Sequence, residues 1–108
     1  MTSKRGPLSL EIERDGDSLV VRASGELDLA TAPMLEKCLL HAFEGEASPI
    51  ILDLTGVSFI DSMGLRSLLR AARHSDENGN HLRIDCGSAP VRRMIEVTGL
   101  KRSLPLTA

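Results

Sequence analysis

Ser62 stands where an apolar helical pattern begins, between Asp61 and Gly64. A serine at such a boundary can cap the helix: its hydroxyl accepts an otherwise orphaned backbone N–H, which contributes ~1 kcal/mol. The same hydroxyl can take a phosphoryl group, because the free N–H groups and the positive end of the helix favour an anion there. The neighbouring Asp61 opposes that anion. The two readings are compatible, since a capping hydroxyl can still be modified. Nucleophilic chemistry fits poorly. A nucleophile elbow needs G-x-S-x-G, and Ile60 occupies the first glycine position. A general base would have to be His41, His74 or His81, none with a visible orienting partner. No catalytic residue is therefore assigned, and the chain is expected to bind rather than catalyse.

Other chemistry is thinly represented. Three scattered histidines and the distant Cys38 and Cys86 lack metal-ligand spacing, so no metal site is expected. Neither GxxxxGK[ST] nor GxGxxG occurs, and no cofactor is expected. The lack of CxxC fits a reducing cytoplasm better than a disulfide framework. Arg66, Arg70 and Arg73 recur at i, i+4, i+7, with His74 beside the last. They lie opposite Leu65, Leu68 and Leu69. The stripe reads as a solvated face or as a contact for an acidic partner, and Arg66 sits one helical turn beyond Ser62.

The elements that must position these groups are legible from periodicity. Leu8, Leu10 and Ile12 alternate with polar residues, as a half-buried strand does. Asp15-Gly16-Asp17 is a turn, and Leu19-Val20-Val21-Arg22-Ala23 closes a hairpin. Gly25-Glu26-Leu27-Asp28 reads as a loop into a helix capped by Thr31, with its apolar face at Leu35, Cys38, Leu39, Ala42 and Phe43. Ile50 to Leu54 reads as a strand buried on both faces. Thr55 to Asp61 reads as a short connection into the helix carrying Leu65, Leu68, Leu69 and Ala72. Leu82, Ile84 and Cys86 mark a further strand. Ser88 caps a third helix, which Gly99 ends with Leu100 as its apolar partner, and Leu104-Pro105-Leu106 suits an edge segment. The expected core comprises Val20, Ile51, Leu54, Leu65, Leu68, Leu69, Leu82, Ile84, Met94 and Ile95.

The order β-β-α-β-α-β-α-β predicts an α/β fold. It is a mixed, mainly parallel sheet of four or five strands covered by three or four helices. Loops at the carboxyl ends of its strands should open on one rim, bringing Asp28 toward Ser62. The 108 residues suit one domain, with residues 1–7 expected to form a flexible tail. Apolar residues at 42% and charged residues at 26% make this a globular composition rather than a disordered one. A net charge of −2 gives no basic field, and two phenylalanines as the whole aromatic complement give no stacking platform, so direct nucleic-acid binding is not expected. No apolar run is long enough to span a membrane, no secretory signal is visible, and a cytoplasmic location is expected.

Three segments together resemble a known family. Gly25-Glu26-Leu27-Asp28-Leu29-Ala30-Thr31-Ala32 is similar to the G-E-L-D-x-x-T-A segment of the bacterial anti-sigma-factor antagonists. Asp53 through Leu65 resembles their D-L-[ST]-x-[VL]-x-[FY]-[IM]-D-S-[ST]-G-L segment. Ser88 through Ile95, followed by Thr98-Gly99-Leu100, resembles their C-terminal pattern. The resemblance spans nearly the whole chain and implies the STAS-domain fold. It also implies partner switching. An unphosphorylated antagonist binds an anti-sigma factor, which is a serine kinase of the histidine-kinase-like ATPase type, and thereby frees a sigma factor. Phosphorylation ends that binding, and a PP2C-type phosphatase restores it. Carried onto this chain, the acceptor is Ser62, and the partner-binding residues are Asp28, Asp61, Ser62, Met63, Gly64 and Arg66. Met63 stands where the family usually has a second Ser or Thr, and Arg66 where it often has Gly. The alternative implied by the same fold is a non-enzymatic STAS scaffold or regulatory subunit of a stress-signalling or lipid-transport assembly, with Ser62 only a helix cap.

Overall fold

A computed structural model describes residues 7–79 and 81–107; of the expected N-terminal tail, residues 1–6 lie outside the described residues. β1 (Ser9–Asp15) and β2 (Ser18–Leu27) form the antiparallel hairpin around Gly16, whose positive φ of 62° suits the tight turn. α1 (Ala32–Phe43), β3 (Ile50–Ile60), α2 (Ser62–Asn78), β4 (Leu82–Asp85) and α3 (Ala89–Thr98) follow in the predicted order. The sheet runs β1-β2-β3-β4, with β2, β3 and β4 parallel. Leu106 adds an isolated parallel bridge to Ile84, so the expected C-terminal edge segment exists as a single rung.

Because the strands sit side by side in chain order, right-handed crossovers place α1 and α2 on the same face of the sheet, and the two helices pack on each other. Val21, Leu52 and Ile84 pair across three strands and are wholly buried beneath them. One residue along, Arg22, Asp53 and Asp85 share a row and therefore face the other way. There Arg22 pairs with Glu13 at 3.4 Å and with Asp53 at 3.7 Å. β3 is thus buried along its Ile50, Leu52, Leu54 side, while Ile51 and Asp53 are half-buried, not enclosed as expected.

Three core assignments shift for related reasons. Ile51 lies on that charged face, and Leu69 and Met94 pack against the margin of the core, half-buried. Val20, Leu54, Leu65, Leu68, Leu82, Ile84 and Ile95 are buried as predicted. From Leu8 into β1 the apolar alternation decays toward the hairpin tip: Leu8 is buried, Leu10 half-buried and Ile12 58% exposed. α3 packs on β3 and ends in a Schellman motif, with Gly99 N–H donating to the Glu96 carbonyl at 3.2 Å and Leu100 N–H to the Ile95 carbonyl at 3.3 Å. Ser88 caps it, accepting the Val91 N–H.

The largest departure concerns β2 and β3, which run further than their apolar cores. Gly25, Glu26 and Leu27 belong to β2, and Thr55 to Ile60 to β3. Their composition resembles loop, but the two stretches supply each other's ladder, pairing Ser24 with Gly56 and Leu27 with Ile60 across two register shifts. Each shift sets one extra β3 residue against β2 and interrupts the ladder, and the Ser58 hydroxyl donates to the Gly25 carbonyl at 3.2 Å there. Both strands consequently deliver their last residues, Leu27 and Ile60, side by side at one rim.

Candidate functional site

Asp28 and Asp61 leave that rim one residue after the paired ends of β2 and β3. Asp28 organises the loop into α1: its Oδ1 accepts the Ala30 and Thr31 N–H groups, both at 3.0 Å. Thr31 occupies the N-cap position of α1 but does not cap it through its hydroxyl. The hydroxyl turns back instead, donating to the Glu26 carbonyl at 2.7 Å and accepting the Asp28 N–H at 2.9 Å. The loop is therefore closed on itself by side chains at both of its ends.

Asp61, not Ser62, is the N-cap of α2. Its backbone is extended and its Oδ1 accepts the N–H groups of Met63 and Gly64, each at 2.9 Å. The sequence expectation of a Ser62 cap is corrected: Ser62 is the first helical residue, one position past the N-cap, and the Met63 and Gly64 N–H groups are taken by Asp61. Its side chain is exposed, and its hydroxyl has no hydrogen-bond partner among the described residues. The scaffold alternative loses the role it gave this serine.

The second oxygen of Asp61 reaches across the rim. Oδ2 accepts the Leu29 N–H at 3.2 Å, and the Asp61 N–H donates to the Leu27 carbonyl at 3.2 Å. Gly64 makes the junction possible. A Cβ built there would press into the Leu27 carbonyl oxygen and come within 2.9 Å of Leu27 Cγ and 3.0 Å of Ile60 Cγ1. Only a residue without a side chain lets the first turn of α2 lie this close to the end of β2. The structure thus brings Asp28, Asp61, Ser62, Met63 and Gly64 to one rim, with Met63 half-buried and Gly64 buried.

Arg66 follows one turn along α2, exposed and without an ion pair among the described residues. The stripe it belongs to divides by role. Arg70 bonds Glu36 of α1 at 3.2 Å, and His74 stacks on Phe43 of α1 with ring centroids 5.3 Å apart, so this part of the stripe joins two helices. Arg73 is exposed like Arg66. Sequence reasoning missed the link from Asp61 to Leu29. No local pattern signals it, because its partners are separated by 32 positions. Among the described residues no cluster of three or more His, Cys, Asp or Glu side chains could hold a metal ion, and no helix is long and apolar enough to cross a membrane.

A family model for the STAS domain matches residues 9–108. The chain belongs to the STAS-domain family. Its curated relatives include the anti-sigma F factor antagonist of Paenibacillus polymyxa, 30% identical over 92% of this chain and 86% of that protein. They also include an anti-sigma-B factor antagonist of Staphylococcus epidermidis, 31% identical over 87% of each chain. Among solved structures, an anti-sigma factor antagonist from Mycobacterium paratuberculosis superposes with a TM-score of 0.81 at 28% identity, covering 92% of this chain and 84% of that one. In this STAS domain the segments carrying the resemblance are the same ones that the fold gathers. Gly25 to Ala32 ends β2 and enters α1, and Asp53 to Leu65 ends β3 and enters α2.

Proposed function

We propose that this STAS domain is an anti-sigma-factor antagonist of the bacterial cytoplasm, switched off by phosphorylation at Ser62. In this reading it acts by binding. The unphosphorylated protein occupies an anti-sigma factor of the histidine-kinase-like serine kinase type and so releases a sigma factor. The kinase transfers a phosphoryl group to Ser62, and a PP2C-type phosphatase removes it. The observation that carries the reading is the state of Ser62. Its hydroxyl is exposed at the start of a 17-residue helix, and the capping duty falls to Asp61 instead. A phosphoryl group can therefore be added without dismantling a hydrogen bond that the fold uses. The positive end of α2 tolerates the group within the domain, where the helix end contributes only ~0.3–1 kcal/mol. A docked partner would have to bury it beside Asp61, where repulsion and lost hydration both oppose binding.

The test is direct. The protein is incubated with candidate histidine-kinase-like ATPases and ATP, and the phosphorylated residue is mapped by mass spectrometry. The expected result is one phosphate, on Ser62, that a PP2C-type phosphatase removes. Phosphate incorporated elsewhere, or none with any kinase that binds the protein, would overturn the assignment of Ser62.

A further inference from the structure

Ser62 and Arg66 stand one helical turn apart on α2, and both are exposed. Neither the hydroxyl nor the guanidinium has a hydrogen bond or ion pair among the described residues. Residues at i and i+4 share a helix face, and helical side chains lean back toward the N-terminus. A long side chain at position 66 is therefore directed over the turn that carries Ser62. An anion one turn N-terminal to a cation is also the favoured order for such a pair.

The groups around Ser62 decide what a phosphoryl group would meet there. The Met63 and Gly64 N–H groups are taken by Asp61 Oδ1, and the Leu65 N–H by the Asp61 carbonyl. The first-turn donors that would otherwise attract an anion are thus occupied. Asp61 precedes the serine and Asp28 shares its rim, and both carboxylates repel a phosphate. Of the cations, Arg70 is engaged with Glu36 of α1, and Arg73 lies two turns beyond Arg66. Arg93 of α3 borders the end of β3, where it lines a cavity with Phe59 and Ile60. Arg66 is the free cation on the same helix face as Ser62.

We propose that Arg66 clamps phosphorylated Ser62 within α2, its guanidinium pairing with the phosphate oxygens. The inference rests on the proposed function and adds what the modification does inside this chain. The planar guanidinium suits the role because it can donate two parallel N–H bonds to two oxygens. Arg66 makes and breaks no bond to phosphorus; it is a positioning residue. Phosphorylation then adds an anion and withdraws a free cation, so two neighbouring surface groups change together. The paired cation also favours the phosphate dianion, which lowers its second ionisation below the usual value of about 6.

The test uses the full chain with phosphoserine inserted at position 62 during translation, so that no kinase is required. Phosphorus NMR follows the second ionisation of the phosphate in this protein and in its Arg66→Ala, Arg66→Lys and Arg93→Ala variants. Thermal melts accompany each titration, and all the replaced side chains are exposed. The midpoint should rise by at least about 0.2–0.4 pH unit in Arg66→Ala, the scale of an exposed i,i+4 pair. Arg66→Lys should fall between, because an ammonium keeps the charge and lacks the fork. Arg93→Ala should titrate as the parent does. The difference should shrink in about 1 M salt, where the screening length falls to ~3 Å. A merely structural role for Arg66 would move the melts and leave the midpoint alone, which would overturn the clamp. Equal midpoints in the parent and Arg66→Ala would overturn it too, and would leave Ser62 standing as a kinase acceptor. A rise in Arg93→Ala with none in Arg66→Ala would move the pairing to α3 and overturn the assignment to Arg66. A raised midpoint in Arg66→Ala, with no phosphate gained by Ser62 from any kinase that binds the protein, would establish the pair and overturn the proposed function instead.

Discussion

The carboxylate of Asp61 carries three hydrogen bonds, and the hydroxyl beside it carries none among the described residues. That asymmetry separates two substitutions that look alike in sequence. Asp61→Ala strips the cap of α2 and leaves the Met63 and Gly64 N–H groups without their acceptor, a loss of ~1–2 kcal/mol. Ser62→Ala removes a solvated hydroxyl and should change stability by less than about 0.5 kcal/mol. Urea unfolding of the two variants measures both, and a larger loss at Ser62 than at Asp61 would contradict the cap assignment. Sequence alone could not choose between neighbours that are both favoured at helix N-caps; what decides is which of the two backbones is extended. Cys38 makes a different kind of residue-scale prediction. Burial pushes its thiol pKa upward, so less thiolate is present near neutrality. Iodoacetamide should alkylate Cys38 more slowly than it does a small free thiol at the same pH, as peptide mapping over time would show.

Elements meet at the rim through backbone contacts, and there a small substitution has a large effect. Gly64→Ala introduces a methyl group against the carbonyl of Leu27, a main-chain atom that cannot swing aside. Relief requires the first turn of α2 to move away from β2, breaking the Asp61 bonds as it goes. A loss of about 1–3 kcal/mol or more is expected from overpacking of this kind, visible as a lowered thermal midpoint. An unchanged midpoint would mean that the close approach is not needed. The helix pair α1 and α2 is more forgiving. Arg70→Glu removes an ion pair in which Arg70 is 60% exposed and sets a carboxylate near Glu36, yet exposed pairs are worth at most ~1 kcal/mol. The variant should fold. This is also the scale at which sequence and structure part. The helices were legible because Leu35, Leu39, Leu65 and Leu68 repeat with the helical period and are all buried. The far halves of β2 and β3 were not. Gly25, Gly56 and Ser58 have low strand propensity, and only their pairing with each other makes them strand. The meeting of the two loops at one rim was expected from the topology, whereas the bond from Leu29 to Asp61 was not, because it depends on where two distant strands end.

At the scale of the whole molecule, the fold separates what must stay fixed from what the proposed switch would change. Leu68 is wholly buried under the helix pair, within a core that runs from Leu8 to Leu104. Leu68→Ala should cost ~2–5 kcal/mol, a large share of the ~5–15 kcal/mol that stabilises a domain of this kind. Ser62 lies at the edge of that core with its side chain in solvent, so adding a phosphate there perturbs no packing. The group brings about −1.5 to −2 charges near neutral pH to a chain whose net charge is −2. The phosphorylated protein should therefore keep the far-ultraviolet spectrum of the unmodified one and melt within a few degrees of it. Binding should respond very differently, because the partner must desolvate the phosphate next to Asp61. A penalty of about 3–4 kcal/mol corresponds to a roughly 100- to 1000-fold loss of affinity. Ser62→Asp, with one charge and fewer acceptor oxygens, should fall between the two forms, and Ser62→Ala should bind as the unmodified protein does. Comparing melts and affinities on the same preparations decides the mechanism. A phosphoprotein that loses affinity and also melts far below the unmodified protein would be switched by unfolding, whereas one that loses affinity at an unchanged midpoint is switched by charge at the interface.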